Sequence, residues 1–192
     1  MIHKLLNIFE KSNFKLSETD IGLLMQYIEF KEVTKKNEIL LNANDVETKS
    51  YFLLEGILRI YNFENGREYT RNIFTEGDFF TESSSFFTGM SHGFQVDSLM
   101  PSKIYFIRKE NFLELQTKSQ VLNQFFNKQL ERALVFMILR NCELQKPAIE
   151  KYKSFRRQKP QLFGKVPDYI LSSYLNITPE AFSRIQKSLN IQ

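Results

Sequence analysis

The sequence predicts an α+β chain: an antiparallel β-roll with an N-terminal helix (1–118), one long helix (119–146) and a C-terminal helix-turn-helix (147–192). Three observations predict it. Residues 38–107 break into short runs rich in β-branched and aromatic side chains, separated by turn residues at close intervals, as the strands of a barrel or roll are. Residues 120–145 carry an apolar repeat at alternating spacings of four and three. Residues 166–189 hold two short amphipathic segments that meet at an Asn-Ile-Thr-Pro corner.

In chain order, Leu16 as a staple and Ser17 with Asp20 as a capping box open a first packing helix, whose apolar stripe is Ile21, Leu24, Met25 and Ile28. Strands are predicted at 38–41, 50–54, 57–63, 68–74, 94–99 and 103–107, with Gly56, Asn65-Gly66, Gly77 and Pro101 at the corners. Because asparagine and glycine both accept positive φ, Asn65-Gly66 should close a hairpin between 57–63 and 68–74. Phe79, Phe80, Phe86 and Phe94 read as core. A short helical stretch spans 112–115, after which Ser119 caps the long helix.

On that helix Leu130, Leu134, Met137, Asn141 and Leu144 form a candidate dimer seam, and Leu122 and Phe126 extend it backward. Val121, Phe125, Phe136 and Leu139 lie partly outside the seam, so the helix has apolar surface for both its own roll and a second copy. A polar Asn141 within the seam suits a symmetric pair, and burial of the whole helix inside a monomer is the alternative. Pro147 ends the helix and begins another.

The last segment opens with Pro167 at a first helical position followed by Asp168, and Ile170, Leu171, Tyr174 and Leu175 share one face. Asn176 tolerates a left-handed backbone and stops the helix, Thr178 caps the next, and Pro179 begins it. Phe182, Ile185 and Leu189 then point inward, while Glu180, Ser183, Arg184 and Lys187 fall outward. A helix held by one apolar stripe, with donors and acceptors on its outer face, suits reading of the DNA major groove, so those four are candidate base contacts. An ordinary helix pair with a solvated face fits these residues alone equally well.

Charge distribution favours the first of these. Residues 1–145 hold 17 basic and 19 acidic groups, net −2, whereas 146–192 hold 9 and 3, net +6. Lys151, Lys153, Arg156, Arg157, Lys159 and Lys165 precede the helix pair, and a basic cluster attracts phosphate backbones. Arg156, Arg157, Lys159 and Lys165 are the candidate phosphate contacts.

Composition excludes several classes. No apolar run is long enough to span a bilayer, and the N-terminus lacks the apolar core and cleavage signal of a secretory peptide. Cys142 is the single cysteine, which suits a reducing cytoplasm, and with two histidines it makes an iron–sulfur or all-protein zinc site an unfavourable reading. Phosphate-loop, nucleophile-elbow and metal-ligand motifs are absent, so no enzyme, cofactor or metal is expected.

Residues 51–80 (YFLLEGILRIYNFENGREYTRNIFTEGDFF) and 174–189 (YLNITPEAFSRIQKSL), together with the element order, resemble the Crp/Fnr regulators. The resemblance covers nearly the whole chain. It implies a cyclic-nucleotide-binding-like jelly roll, a dimerisation helix and a helix-turn-helix, with Glu180 and Arg184 on base edges and Thr178 on a phosphate. In members that bind cyclic nucleotides, a glutamate holds the ribose and an arginine-serine pair the cyclic phosphate. Here Glu82 keeps the first place, but the pair reads His92-Gly93 and Thr81 replaces the glycine before the glutamate. Glu82, His92 and Gly93 are therefore a candidate effector pocket in which cyclic AMP is not the expected ligand, since a largely neutral imidazole replaces a permanent guanidinium. The chain also ends three residues past Leu189 without strands for a wing. The expected partners are double-stranded DNA, a second copy and a small-molecule effector in the roll, with no membrane. A cyclic-nucleotide sensor and a dimerisation module whose helix pair binds protein remain as alternatives.

Overall fold

The computed structural model describes residues 1–190. Helices α1 (Ile2–Glu10) and α2 (Glu18–Tyr27) precede strands β1 (Ile28–Val33), β2 (Ile39–Leu41), β3 (Lys49–Glu55), β4 (Ile57–Glu64), β5 (Arg67–Thr75) and β6 (Phe79–Phe80). Helix α3 (Ser83–Thr88), strands β7 (Phe94–Ser98) and β8 (Ser102–Arg108), and helices α4 (Lys109–Lys118), α5 (Gln120–Leu144) and α6 (Ala148–Gln158) come next. A 3-10 turn (Pro160–Leu162) leads to α7 (Asp168–Leu175) and α8 (Pro179–Asn190). The strands make two antiparallel four-stranded sheets, ordered β1-β8-β3-β6 and β2-β7-β4-β5.

Alternation along the strands sorts the core. Tyr51 and Leu53 of β3 face Leu58, Ile60, Phe74, Phe80, Val96 and Phe106 inside the roll, where the Phe74 and Phe80 rings stack 3.9 Å apart. Phe52 and Leu54 point the other way, onto Leu5 and Phe9 of α1, Phe112 of α4, and Leu122, Phe125 and Phe126 of α5. On the second sheet Ile57 and Ile73 face outward and join Tyr152, Phe155, Ile170, Leu171 and Phe182, so the C-terminal helices share a core with the roll. Beside them Arg59, 4% exposed, donates to both oxygens of Asp97 at 2.8 and 3.1 Å and to Glu68.

The local signals appear as written. Ser17 and Asp20 make both bonds of a capping box, Asn65 and Gly66 turn at φ 52° and 74° between β4 and β5, and Ser119 Oγ accepts from the Leu122 amide. Gly56 turns at φ 105° and is required for a second reason: a Cβ there would collide with the side chain and Cα of Ser102.

Four expectations need correction. Helix α1 has no counterpart among the expected elements, although Leu5, Ile8 and Phe9 lie at helical spacing and are buried. The α2 stripe is rotated: Leu23, Leu24 and Tyr27 pack inward while Met25 is exposed. Ile28 leaves the helix altogether, at φ −90° and ψ 143°, because it opens a strand that pairs with β8 from Ile28↔Ile107 to Val33↔Ser102. Finally, Pro167 caps α7 rather than starting it.

One buried group makes stability depend on pH. Glu47 is 2% exposed; its Oε1 accepts from the Lys49 amide at 2.8 Å and Tyr51 hydroxyl at 3.2 Å, while Oε2 has no partner. Burial outweighs these bonds and pushes the carboxyl up to about 7. With the folded value above the unfolded one, stability is full below about pH 4.5 and is lost as pH rises towards 7. Glu47→Gln should therefore melt higher than the parent at pH 8, by roughly 2 to 3 kcal/mol, with the gain vanishing near pH 4.5. Equal gains at both pH values in thermal melts would mean that the Glu47 charge is not the cause.

Candidate nucleic-acid interface

The corner between α7 and α8 is built by backbone geometry. Asn176 adopts the left-handed region at φ 50° and ψ 53°, and its amide and that of Ile177 take the Ser173 and Ser172 carbonyls at 3.0 and 3.1 Å. Thr178 Oγ1 accepts from the Ala181 amide at 3.2 Å, which starts α8. Phe182, fully buried, locks α8 against Tyr152 at 5.1 Å between ring centres.

This leaves Glu180, Arg184 and Lys187 exposed on one side of α8, with Ser183 half-buried beside them. Hydrogen bonds from Glu180's own amide and the Thr178 hydroxyl hold its carboxyl below the usual glutamate range, with Arg184 and Arg67 adding positive charge. Glu180 is thus an acceptor at neutral pH, next to a permanent donor in Arg184.

The basic segment divides on folding. Arg156 and Arg157 are exposed in the last turn of α6, and Lys165 is exposed before α7. Lys159 instead reaches back to the roll, 3.3 Å from the Ile73 carbonyl and 4.0 Å from Asp78. Lys151 is buried at 8% exposure and points at the Asn176 carbonyl, so it belongs to the helix packing and not to the surface patch.

The α5 repeat divides too. Leu122 and Phe126 are fully buried in the roll's core, whereas Leu130, Leu134 and Met137 stand 37%, 61% and 64% exposed. Asn141 is exposed and Leu144 half-buried; Val135, Phe136, Ile138 and Leu139 add further exposed apolar surface.

In the roll, Glu82 is buried and caps α3, accepting from the Ser84 amide at 3.1 Å, the Ser84 hydroxyl at 2.6 Å and the Ser85 amide at 2.8 Å. His92 is exposed and bonds to Thr88 Oγ1 at 3.0 Å, and Gly93 turns at φ 77°. Glu82 and His92 share no hydrogen bond. A cavity of about 230 Å³ lies elsewhere, between β5 and the helix pair, with Arg67, Tyr69, Tyr169, Ser173 and Asn176 in its lining. Among the described residues no helix is long and apolar enough to cross a membrane.

The cyclic nucleotide-binding domain family matches residues 31–119. No curated protein matches the sequence. Among solved structures, FixK2 from Bradyrhizobium japonicum superposes with TM-score 0.74 at 16% identity, over 86% of this chain and 85% of that one. A protein from Eubacterium rectale assigned to the Crp/Fnr family gives 0.70 at 18%, over 96% and 88%. The chain has the Crp/Fnr fold. A CooA variant from Carboxydothermus hydrogenoformans is similar again, at TM-score 0.69, 16% identity and 95% and 84% coverage.

Two residues that hold this Crp/Fnr fold together at the interface are not legible in the sequence. Ser173 of α7 accepts from the Thr70 amide at 2.9 Å and donates to the Glu68 carbonyl at 3.3 Å, satisfying the open edge of β5 in place of a neighbouring strand. Arg140, near the end of α5, donates to the Tyr174 carbonyl and lies with its guanidinium carbon 3.7 Å from the centre of the Tyr174 ring. A serine at a helix end and an arginine after the run Leu-Val-Phe-Met-Ile-Leu give no sign of these partners, which come from distant parts of the chain.

Proposed function

We propose that this chain is a sequence-specific, DNA-binding transcription regulator of the Crp/Fnr type, acting as a homodimer in the cytoplasm and carrying no enzymatic activity. The observation that carries the proposal is α8: Phe182 anchors it, and its opposite side offers Glu180, Arg184 and Lys187 to a partner, while Arg157 and Lys165 are exposed on the preceding segment. Glutamate can accept from cytosine and arginine can pair with guanine in a major groove. The exposed apolar residues of α5 support a twofold pair, because so much contiguous apolar surface is rarely left to water.

Selection of bound sites from random DNA tests this. The sites recovered should be palindromic, with half-sites roughly 34 Å apart, and affinity should fall steeply with salt. Arg184→Ala should relax base preference at one position of each half-site at a cost of about 1 to 3 kcal/mol. Arg157→Ala should weaken all sequences alike and lower the salt slope by about one. Unchanged preference in Arg184→Ala would remove α8 from the groove, and salt-independent association with a protein instead would favour the protein-binding reading.

The family match over residues 31–119 supports a second reading, a cyclic-nucleotide-responsive regulator. Against it, Glu82 already spends both carboxylate oxygens on α3, and aliphatic and aromatic side chains pack together in the roll interior. A cyclic phosphate would also find His92-Gly93 where a bidentate arginine is needed. Calorimetry with cyclic AMP should accordingly register no saturable binding at micromolar concentration; tight binding with a matching rise in DNA affinity would restore that reading.

A further inference from the structure

The C-terminal end of α7 is where two cations from two other helices converge. A helix ends in carbonyls without intrahelical partners and carries the negative end of its dipole there. The Ser172 and Ser173 carbonyls are taken by the corner's own amides. Arg140 of α5 takes the Tyr174 carbonyl and stacks on the same residue's ring; Lys151 of α6 lies 3.4 Å from the Asn176 carbonyl. Burial, and after it the positive charge of Arg140, disfavour the charged form of Lys151. Like charges brought together in a largely buried place need a common negative partner, and the α7 terminus supplies it.

This contact joins the seam helix to the helix pair. Arg140 immediately precedes Asn141 of the seam, and Tyr174 lies five residues before Pro179, across a corner fixed by Asn176 and Thr178. Between α5 and α6 the covalent link is Gln145 to Pro147, where the Gln145 and Lys146 amides bond back to the Cys142 and Glu143 carbonyls and Pro147 interrupts the helical ladder. Ser173 ties the helix pair to the roll and not to α5.

We infer that Arg140 is a positioning residue: it fixes the pose of the helix pair on the seam-bearing helix, and thereby the spacing between half-sites that a dimer accepts. Its effect on spacing rests on the proposed function; its hold on the pose does not.

The test therefore has two arms. In a Cys142→Ser background, nitroxides at Lys128→Cys on α5 and Ser188→Cys on α8, diluted with unlabelled protein, read the distance within one chain by pulsed dipolar spectroscopy. The parent should give one narrow distribution; Arg140→Ala and Arg140→Lys should broaden it about twofold or split it, because lysine keeps the charge but loses the planar stack. An unchanged narrow distribution overturns the inference whatever the DNA experiments give, and Arg140→Lys carries the arm if the alanine variant fails to fold. In the second arm, half-sites are selected with variable spacers. Arg140→Ala should accept several spacings while keeping the parent's half-site sequence. A uniform loss at every spacing would mean that Arg140 merely supports the fold. If the parent itself selects no DNA, the proposed function falls and the distance measurement alone decides the role of Arg140.

Discussion

Leu134→Glu is expected to dissociate the proposed dimer while leaving each chain folded. The residue is 61% exposed on a single chain, so the change removes no core contact within it and the melting curve at low concentration should be unchanged. In a twofold seam the same position meets its own copy, and two glutamates would then face each other. Burying such a pair costs several kcal/mol, about 4 as an order of magnitude, which is roughly a thousandfold in the dimer constant. DNA affinity should fall by about a hundredfold or more, since a monomer reaches one half-site and loses the effective concentration that the second provides. Sedimentation at micromolar concentration checks the first outcome and titration of a palindromic site the second. A variant that stays dimeric would move the interface away from the α5 seam.

Arg59→Met should strongly destabilise the roll. Burial works against the arginine's charge, but Asp97 and Glu68 outweigh it and hold the group above the ordinary arginine range. The Tyr61 ring lies 4.0 Å from the guanidinium, and the side chain is only 5% exposed. Methionine fills a similar volume yet leaves Asp97, itself 3% exposed, without its cation. Breaking a buried pair from one side typically costs about 3 to 5 kcal/mol, which for a chain of this size lowers the melting temperature by roughly 10 °C. Adding Asp97→Asn should recover a good part of that loss, because the uncompensated charge goes with it. Denaturation of the parent and the two variants in urea at neutral pH separates these outcomes; a cost under about 1 kcal/mol for Arg59→Met would mean that the cluster is solvated.

Every feature that the sequence determined by itself is written within a few residues. The Ser17–Asp20 box, the Ser119 cap, the Asn65-Gly66 turn and the Asn176–Thr178 corner all depend on bonds or backbone angles that span about four positions. Period-two and period-3.6 patterns likewise mark six strands and the long helix, because an apolar face is a property of local spacing. What such a face packs against is not. The same α5 stripe is core at Leu122 and Phe126 and bare at Leu134 and Met137, because the roll reaches only the first half of the helix. Strand β1 escapes a sequence reading because its partner β8 lies more than seventy residues on, and a half-exposed strand carries little pattern of its own. Glu82 takes the ribose-binding place that the resemblance implies, yet its carboxylate caps α3; Lys151 counts toward a basic patch, yet it is buried against the end of α7. Charge and residue type fix what a side chain can bond to. Only the tertiary structure decides which of the eligible partners comes within about 3 Å, because long-range packing sets that distance.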